Sequence, residues 1–282
     1  MPTFTPTHLG KWESLFTDLV DGDRYQRSVD RFREQGVVLP TFAQLAADAG
    51  VEALLVGDSL GNVIQGQTST IPVTLEEMVY HTAAVARGNA RAERQALIMT
   101  DLPFMTYGDI ATGVASARAV MQAGAHMVKV EGDDWLVPLV ESLARQGVPV
   151  CAHLGLTPQA VNKMGGYRVQ GREEEKADAM VAHSIALAEA GADIILLECV
   201  PSPLAKRITE AVNVPVVGIG AGSDTDAQVL VCYDMLGLNT QHIPKFVKNY
   251  MTDGRTVPEA IKSYADEVRD GSFPAPEHGF DA

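Results

Sequence analysis

Short apolar runs rich in β-branched residues alternate with helix-length segments through most of the chain, and this alternation restricts the fold most strongly. Most of the helical segments end in glycine, as in AADAG, MQAGA, LARQG and LAEAGA, and glycine commonly follows the last turn of a helix. Repeated strand–helix units of this length predict a parallel sheet covered by helices. The six clear strand candidates are residues 53–59, 96–101, 126–132, 148–155, 192–199 and 214–220.

The number of units decides between a closed barrel and an open sheet. Further strands are predicted at GVVLP (36–40) and near MLGLN (235–239), which would complete eight units. Eight units predict a single (β/α)8 TIM barrel domain over residues 1–282, with a C-terminal tail on the surface from about residue 271. The alternative is an open doubly wound sheet, but the first βα turn, GDSLGNVIQG, lacks the GxGxxG pattern of dinucleotide-binding folds.

The acidic balance of the chain excludes some classes of partner. A formal net charge of −14 argues against binding to a nucleic-acid backbone or to an anionic membrane surface. No apolar run is long enough to span a bilayer, and the first residues lack the basic start and apolar run of a signal peptide. Three cysteines, an odd number without a CxxC pair, predict free thiols in a cytoplasmic protein.

Polar or charged residues stand at the end of nearly every predicted strand. In α/β folds the carboxyl ends of the strands form the edge where sites are built, and closing a barrel brings distant strand ends onto one rim. We therefore expect these side chains to meet. They are Asp58, Ser59, Asp101, Lys129, Glu131, His153 and Glu198.

The stretch MVKVEG places two opposite charges inside a predicted strand. Lys129 and Glu131 are two residues apart and share one face, while Val128 and Val130 take the other. Charges are costly among the surrounding helices of a barrel. Both charged side chains are therefore predicted to point inward, near the open end.

Three carboxylates, on Asp58, Asp101 and Glu131, would then meet near the barrel axis. Like charges that lie close together raise each other's pKa, and a divalent cation would relieve the repulsion. Ligands that are all oxygen favour Mg²⁺. The alternative is that these acids cap helices in the βα loops, although this does not explain a glutamate within a strand.

Three more of these residues have candidate roles beside the cation. Lys129 is expected to hold the carboxylate of an anionic substrate or to neutralise Glu131, the alternative being a simple internal salt bridge. His153 is expected either to bind a substrate oxygen or transfer a proton, or to be structural. Glu198 follows IILL, and a carboxylate among apolar neighbours suits general-base work.

Longer segments carry a resemblance to a known family. From about residue 42 to the tail, the chain resembles the ketopantoate hydroxymethyltransferase family in the order and spacing of six segments. These are LLVGDSLGNVIQGQTSTIPVTLEEMVYHTAAVARG, DLPFMTYG, GAHMVKVEGDDW, PVCAHLGLTPQAVNKMGGYRVQGR, LLECVPSPLAKRIT and VPVVGIGAGSDTDAQVLVCYDMLGL. The segment up to about residue 41 departs from the family pattern, because QGVVLPT stands where a TAYD-like strand would precede the helix FAQLAADAG.

The resemblance implies a TIM barrel of the phosphoenolpyruvate/pyruvate type and a Mg²⁺-dependent one-carbon transfer. The one-carbon donor would be 5,10-methylenetetrahydrofolate and the acceptor 3-methyl-2-oxobutanoate, giving 2-dehydropantoate on the way to pantothenate and coenzyme A. The resemblance also implies a homo-oligomer, typically a decamer built as two pentameric rings, whose partners are a small 2-oxo acid and folate.

The resemblance further implies roles for individual residues. It places proton removal on Glu198. It places metal binding on Asp58, Asp101 and Glu131. It places contacts to the 2-oxo acid on Asp58, Ser59, Asp101 and Lys129.

Two other functions are open at this point. One is a related barrel lyase or mutase that acts on a 2-oxo acid through the same metal ligands without folate. The other is a non-catalytic assembly or regulatory protein that keeps the fold. Two glycine-rich segments are also open: GGYRVQGR (165–172) as a lid, part of a folate site or a turn, and GIGAGS (218–223) as a turn or, less favoured, a phosphate loop.

Overall fold

A parallel β-sheet flanked by helices forms the centre of the computed structural model, which describes residues 38–239 and 243–281. The strands pair in chain order, each parallel to the next. They are β1 (Ala53–Val56), β2 (Leu97–Asp101), β3 (Met127–Glu131), β4 (Val150–Gly155), β5 (Ile194–Glu198), β6 (Val216–Ile219) and β7 (Ala227–Gln228).

Helices connect the strands and cover the outside of the sheet. Local sequence sets their ends. At the start of the third helix, for example, the Thr74 side chain accepts a hydrogen bond from the Glu77 backbone N–H, and the Glu77 side chain accepts from the Thr74 N–H. The helices are α1 (Val38–Asp48), α2 (Leu60–Val63), α3 (Leu75–Asn89), α4 (Ile110–Gln122), α5 (Val137–Arg145), α6 (Val161–Met164), α7 (Glu174–Glu189), α8 (Ser202–Ala211), α9 (Cys232–Met235) and α10 (Val257–Asp270).

The predicted TIM-type α/β fold is confirmed, and the six clear strand candidates are strands β1 to β6. The two additional strand predictions are wrong. Of the run 36–40, the structure describes residues 38–40, and these begin helix α1. The run 235–239 begins with the last residue of α9 and continues without a strand, since Gly237 takes φ +66° and turns the chain. Short apolar runs cannot be assigned to helix or strand by periodicity alone.

The seventh strand of the described residues is β7, which follows β6 after a short loop. Its residue Ala227 pairs with Val217, and Gln228 pairs with Gly218. It is only two residues long, so it carries too little alternation to be recognised in the sequence.

The two faces of β3 pack against different surroundings. Val128 and Val130 belong to the apolar layer between the sheet and the helices. Met127 instead packs on the opposite, inner face of the sheet, in one cluster with Met99 and Cys151. Because side chains alternate along a strand, Lys129 and Glu131 share the inner face with Met127, as predicted.

The C-terminal tail lies against the rest of the chain at two places. The Phe273 side chain is buried and makes edge contacts with Tyr250 and Tyr264. The backbone carbonyl of Phe280 accepts a hydrogen bond from the Ser202 N–H at 2.9 Å. Among the described residues, no helix combines the length and the apolar character that crossing a bilayer requires.

The GIGAGS segment (218–223) begins in β6, and its residues after the strand form a turn packed against this tail. Gly220 and Gly222 take φ values of +60° and +82°, which favour glycine. A β-carbon on Gly222 would overlap the Ser202 side chain, and one on Gly220 would lie 2.7 Å from Phe246. The interpretation of this segment as turn geometry is confirmed.

Candidate active site

Charged side chains from five neighbouring strands meet at the carboxyl ends of β1 to β5. The strand register brings them together: Asp101 pairs with Lys129, Glu131 pairs with His153, and Glu198 pairs with Gly155. Asp58 stands two residues after β1 and completes the group. The structure thus brings the predicted residues together on one rim, although they lie far apart in the sequence.

Three of these residues form a buried acidic cluster. Asp58, Asp101 and Glu131 each place a carboxylate oxygen within 4.8 Å of the others. Their exposed fractions are 2%, 3% and 5%. The Asp58 backbone N–H donates to Asp101 Oδ2 at 3.0 Å, so the ends of β1 and β2 are held together.

The structure does not favour helix capping as the role of these acids. Asp58 Oδ2 accepts its hydrogen bond from a side chain on the far side of the rim, Gln159 Nε2 at 2.8 Å. Glu131 lies within β3 and cannot be a cap. The helix α2 is instead preceded by Ser59, whose side chain makes no capping hydrogen bond.

The ionised forms of two carboxylates are disfavoured in this cluster. Burial raises the pKa of Asp58 well above its usual range, and the charges of Asp101 and Glu131 raise it further. Burial also raises the pKa of Asp101, against the lowering effect of Lys129. Lys129 offsets the repulsion among the carboxylates only in part, and a buried, oxygen-only donor set of this kind fits a hard divalent cation such as Mg²⁺.

Lys129 supplies a positive charge to the same cluster. Its Nζ lies 2.9 Å from Asp101 Oδ1, an ion pair rather than an aligned hydrogen bond, and 3.2 Å from Glu131 Oε1. Burial alone would lower the pKa of Lys129, but the surrounding carboxylates outweigh it and hold the pKa well above its ordinary value. The internal salt bridge considered for Lys129 therefore exists, and it places an ammonium group at the edge of the acidic cluster.

His153 lies between two glutamates. Its Nδ1 is 3.3 Å from Glu131 Oε1, and its Nε2 is 3.4 Å from Glu198 Oε2, an ion-pair distance without hydrogen-bond alignment. Burial and Lys129 lower the pKa of His153, but the contacts with Glu131 and Glu198 raise it to about 9. The raised pKa favours the protonated imidazole, against the nearby Lys129 ammonium group, whose Nζ lies 3.2 Å from His153 Nδ1.

The pKa of Glu131 is lowered, in contrast to the raised pKa values of Asp58 and Asp101. Burial would raise the pKa of this carboxyl, but Lys129, His153 and the backbone N–H of Gln159 lower it to about 2. Glu131 is therefore the member of the acidic cluster that stays ionised across the neutral range.

Glu198 is the more accessible carboxylate at the rim. Its side chain is 17% exposed, against 3% for that of Glu131. Two residues with positive φ, Cys199 after it in the chain and Gly155 on the neighbouring strand, set its position. Cys199 takes φ +49°, rare for a residue with a side chain, and is held there by hydrogen bonds to Ile219 and from Gln170.

Gly155 makes room for the backbone of Glu198. It takes φ +90°, and a β-carbon there would overlap the Glu198 carbonyl oxygen. That carbonyl accepts a hydrogen bond from the Leu156 N–H at 2.8 Å. The pairing of β4 with β5 therefore depends on glycine at the point where the glutamate is presented.

Two polar residues of the site were not found in the sequence. Gln159 and Tyr107 are both buried and hydrogen-bond to the acidic cluster. Both lie in βα loops beyond strand ends, which is a weak signal, because such loops are rich in polar residues that only cap or turn. Nothing in the residue pattern separates these two from their neighbours.

Comparisons of sequence identify relatives of this chain. A sequence model described as ketopantoate hydroxymethyltransferase matches residues 38–276. A 3-methyl-2-oxobutanoate hydroxymethyltransferase of Marinobacter nauticus is 60% identical over 242 residues, covering 86% of this chain and 90% of the relative. The enzyme of the same description from Pseudomonas fluorescens is 58% identical over 243 residues, again covering 86% and 90%.

Solved structures with the same architecture are more distant in sequence. An oxaloacetate acetylhydrolase in complex with the product oxalate superposes with a TM-score of 0.52 at 14% identity, covering 83% of this chain and 90% of that one. At this identity the likeness supports the fold alone.

Proposed function

The chain belongs to the ketopantoate hydroxymethyltransferase family and is a transferase, and we propose that it transfers a hydroxymethyl group from 5,10-methylenetetrahydrofolate to 3-methyl-2-oxobutanoate. The product is 2-dehydropantoate, a precursor in pantothenate synthesis. One observation carries the proposal: three buried carboxylates within 4.8 Å of one another stand beside Lys129, with the Glu198 carboxylate at the opening.

Asp58, Asp101 and Glu131 are proposed to hold Mg²⁺. The fit rests on the oxygen donors, on their burial and on the raised pKa values of the two aspartates, since a cation would offset the repulsion. When bound, Mg²⁺ would act as a Lewis acid toward the keto and carboxylate oxygens of the substrate.

Lys129 is proposed to bind the substrate carboxylate together with Ser59. Its ammonium group already faces carboxylates in the site, and an incoming 2-oxo acid would add one more. Ser59 lies beside Asp58, and its hydroxyl makes no capping bond to α2. Contacts of the substrate with Asp58 and Asp101 would complete the orientation of the acid.

Glu198 is proposed to remove the proton from C3 of 3-methyl-2-oxobutanoate. The proton passes to the Glu198 carboxylate, and the electron pair of the C–H bond passes into the enolate of the substrate. C3 then bonds to the methylene carbon of the folate, and the two bonds between that carbon and the folate nitrogens break. One water molecule supplies the hydroxyl group, and its other proton and the proton taken from C3 pass to the nitrogens of the departing tetrahydrofolate. Because Glu198 is the more exposed carboxylate, it can meet a substrate held by the deeper residues.

His153 is proposed to contact the substrate oxygen or to exchange protons with Glu198. Its imidazole is 3.4 Å from Glu198 Oε2, within reach of the acceptor of the C3 proton. The raised pKa of His153 favours its protonated form.

The experiment that tests the reaction follows the C3 proton by NMR in D₂O. Purified protein is incubated with 3-methyl-2-oxobutanoate and Mg²⁺, with and without 5,10-methylenetetrahydrofolate. We expect exchange of the C3 proton in both samples and 2-dehydropantoate only with folate. Exchange that never leads to product would instead favour the lyase or mutase, and failure to bind metal or keto acid would favour a non-catalytic protein.

The role of Glu198 is tested in the same assay. Glu198→Gln should suppress C3 exchange while leaving binding of metal and keto acid nearly intact. Glu141→Gln, at an exposed position on α5, is the matched control and should exchange like the wild type. Unchanged exchange in Glu198→Gln would remove Glu198 from the role of base.

We also propose that the protein is a homo-oligomer, as the family resemblance implies. Several large apolar side chains in the described βα loops are exposed in the single chain, among them Met105 at 68% and Trp135 at 51%. Such side chains are common where subunits meet. Mass photometry at micromolar concentration gives the subunit number, and a monomer would contradict the proposal.

A further inference from the structure

Gln159 joins two of the carboxylates proposed to hold the cation. It lies in a short 3₁₀ turn, Pro158–Ala160, that follows β4, and its side chain is buried. Its side-chain Nε2 donates to Asp58 Oδ2 at 2.8 Å, and its backbone N–H donates to Glu131 Oε2 at 3.1 Å. Gln159 thus binds one oxygen of Asp58, which follows β1, and one oxygen of Glu131, which ends β3.

The orientation of the Gln159 amide is fixed by what surrounds it. Its Nε2 group has two N–H donors, and both have acceptors, Asp58 Oδ2 and the Leu102 carbonyl at 2.9 Å. A flipped amide would turn Oε1 toward the Leu102 carbonyl oxygen, which can only accept. The amide therefore presents its donor to Asp58.

Tyr107 holds the other end of this amide. Its hydroxyl donates to Gln159 Oε1 at 2.5 Å and accepts from the Glu131 backbone N–H at 3.2 Å. The Glu131 carbonyl oxygen also lies 3.2 Å from this hydroxyl, but the hydroxyl has a single proton, and the shorter contact to Oε1 takes it. Burial, followed by the charge of Glu131, raises the pKa of Tyr107 far above neutral, so the hydroxyl keeps its proton.

We propose that Gln159 is a positioning residue of the cation site, supported by Tyr107. It sets the carboxylate orientation of Asp58 through its side chain and that of Glu131 through its backbone. This inference rests on the proposed function, because it assumes that these carboxylates bind the metal. Ligands held in place by outer hydrogen bonds bind metals more tightly, and loss of such partners typically costs about 10–100-fold in affinity.

The test measures Mn²⁺ binding by electron paramagnetic resonance in the full-length protein, well below the melting temperatures of all variants. Gln159→Leu removes the donor to Asp58 and should raise the Mn²⁺ dissociation constant by about 10–100-fold. Tyr107→Phe removes the donor to Gln159 Oε1 and should give a smaller increase in the same direction. At saturating Mg²⁺ the kcat of Gln159→Leu should recover, while the Mg²⁺ concentration for half-maximal activity stays raised.

A matched control separates positioning from a general loss of stability. Gln228 Nε2 also makes two hydrogen bonds, to Gly222 O and to Thr225 Oγ1, and neither acceptor belongs to the acidic cluster. Gln228→Leu should lower the melting temperature without changing Mn²⁺ affinity. If Gln159→Leu binds Mn²⁺ as tightly as the wild type, the inference is wrong. If the wild type itself binds no Mn²⁺, the proposed metal site is wrong, and the inference with it.

Discussion

The carbonyl oxygen of Glu198 occupies the space that a β-carbon on Gly155 would need, and the two residues are paired on adjacent strands. The proposed base is therefore placed by a close approach of backbone to backbone. Gly155 also takes φ +90°, a conformation that disfavours any other residue.

We expect Gly155→Ala to lower both stability and activity. The overlap and the strained φ should together cost about 2–4 kcal/mol of unfolding free energy, and displacement of Glu198 should reduce kcat more than the binding of the keto acid. Chemical denaturation and steady-state kinetics measure the two effects. Gly147→Ala is the control, since Gly147 takes φ +76° with nothing within 4 Å of its would-be β-carbon, and it should cost only about 1 kcal/mol.

Lys129→Met should destabilise the metal-free protein strongly. The substitution leaves the buried carboxylates of Asp101 and Glu131 without the Lys129 ammonium group. Removing one partner of a buried ion pair costs about 3–5 kcal/mol of unfolding free energy. It should also weaken keto-acid binding, measured by calorimetry. Lys206→Met, which removes an exposed pair with Asp224, should change stability by less than about 0.5 kcal/mol. Equal effects of the two substitutions would contradict the buried role of Lys129.

Asp58→Asn should stabilise the metal-free protein while removing its response to Mg²⁺. Burial and two neighbouring carboxylates disfavour the charge on Asp58, and each pKa unit of that penalty corresponds to about 1.4 kcal/mol. Mg²⁺ raises the melting temperature of a protein that binds it in the folded state, so this shift should be present in the wild type and lost in the variant. Thermal melts with Mg²⁺ or EDTA show both effects.

The control for this substitution is Asp178→Asn at an exposed position on α7. It should keep the wild-type shift with Mg²⁺. A metal-free Asp58→Asn protein less stable than the wild type, with an intact Mg²⁺ shift, would argue against Asp58 as a ligand.

The stability of the metal-free protein should fall as pH rises from about 6.5 to 9. The pKa of His153 is raised from its ordinary value of 6.5 to about 9, so between these values the folded state binds more protons than the unfolded state. The stabilisation from His153 is fully present below pH 6.5 and is lost as pH passes through the folded pKa. The raised pKa values of Asp58 and Asp101 also make the stability fall as pH rises, beginning at about pH 4.

This pH dependence is measured as the melting temperature in EDTA across that range. His153→Gln cannot bind the extra proton, so its melting temperature should fall less steeply above pH 6.5. Parallel curves for the wild type and the variant would show that His153 is not protonated in the folded state.

The fold could be predicted from sequence where strands are long and buried. Runs such as ADIILLEC contain enough apolar residues to identify β5, whereas β7 has two residues and is recognisable only by its pairing with β6. The apolar run at 235–239 is not a strand, because Gly237 reverses the chain within it. Tertiary pairing decided the first case, and a local turn decided the second.

The site was predictable to the extent that its residues end strands. Lys129 and Glu131 could be assigned to the inner face because strand alternation fixes it. Gln159 and Tyr107 could not be found, because their role depends on the path of two loops across the rim. The positive φ of Cys199 is likewise imposed by contacts with β6 and the 165–172 segment, which no local propensity encodes.

Asp101, Lys129, His153 and Glu198 each stand two positions after an inner-facing apolar residue, and these apolar residues, Met99, Met127, Cys151 and Leu196, belong to one buried cluster. The charged residues therefore lie beyond an apolar layer, at the carboxyl ends of the strands. In the proposed reaction, both substrates would then reach the charged residues from that side of the sheet.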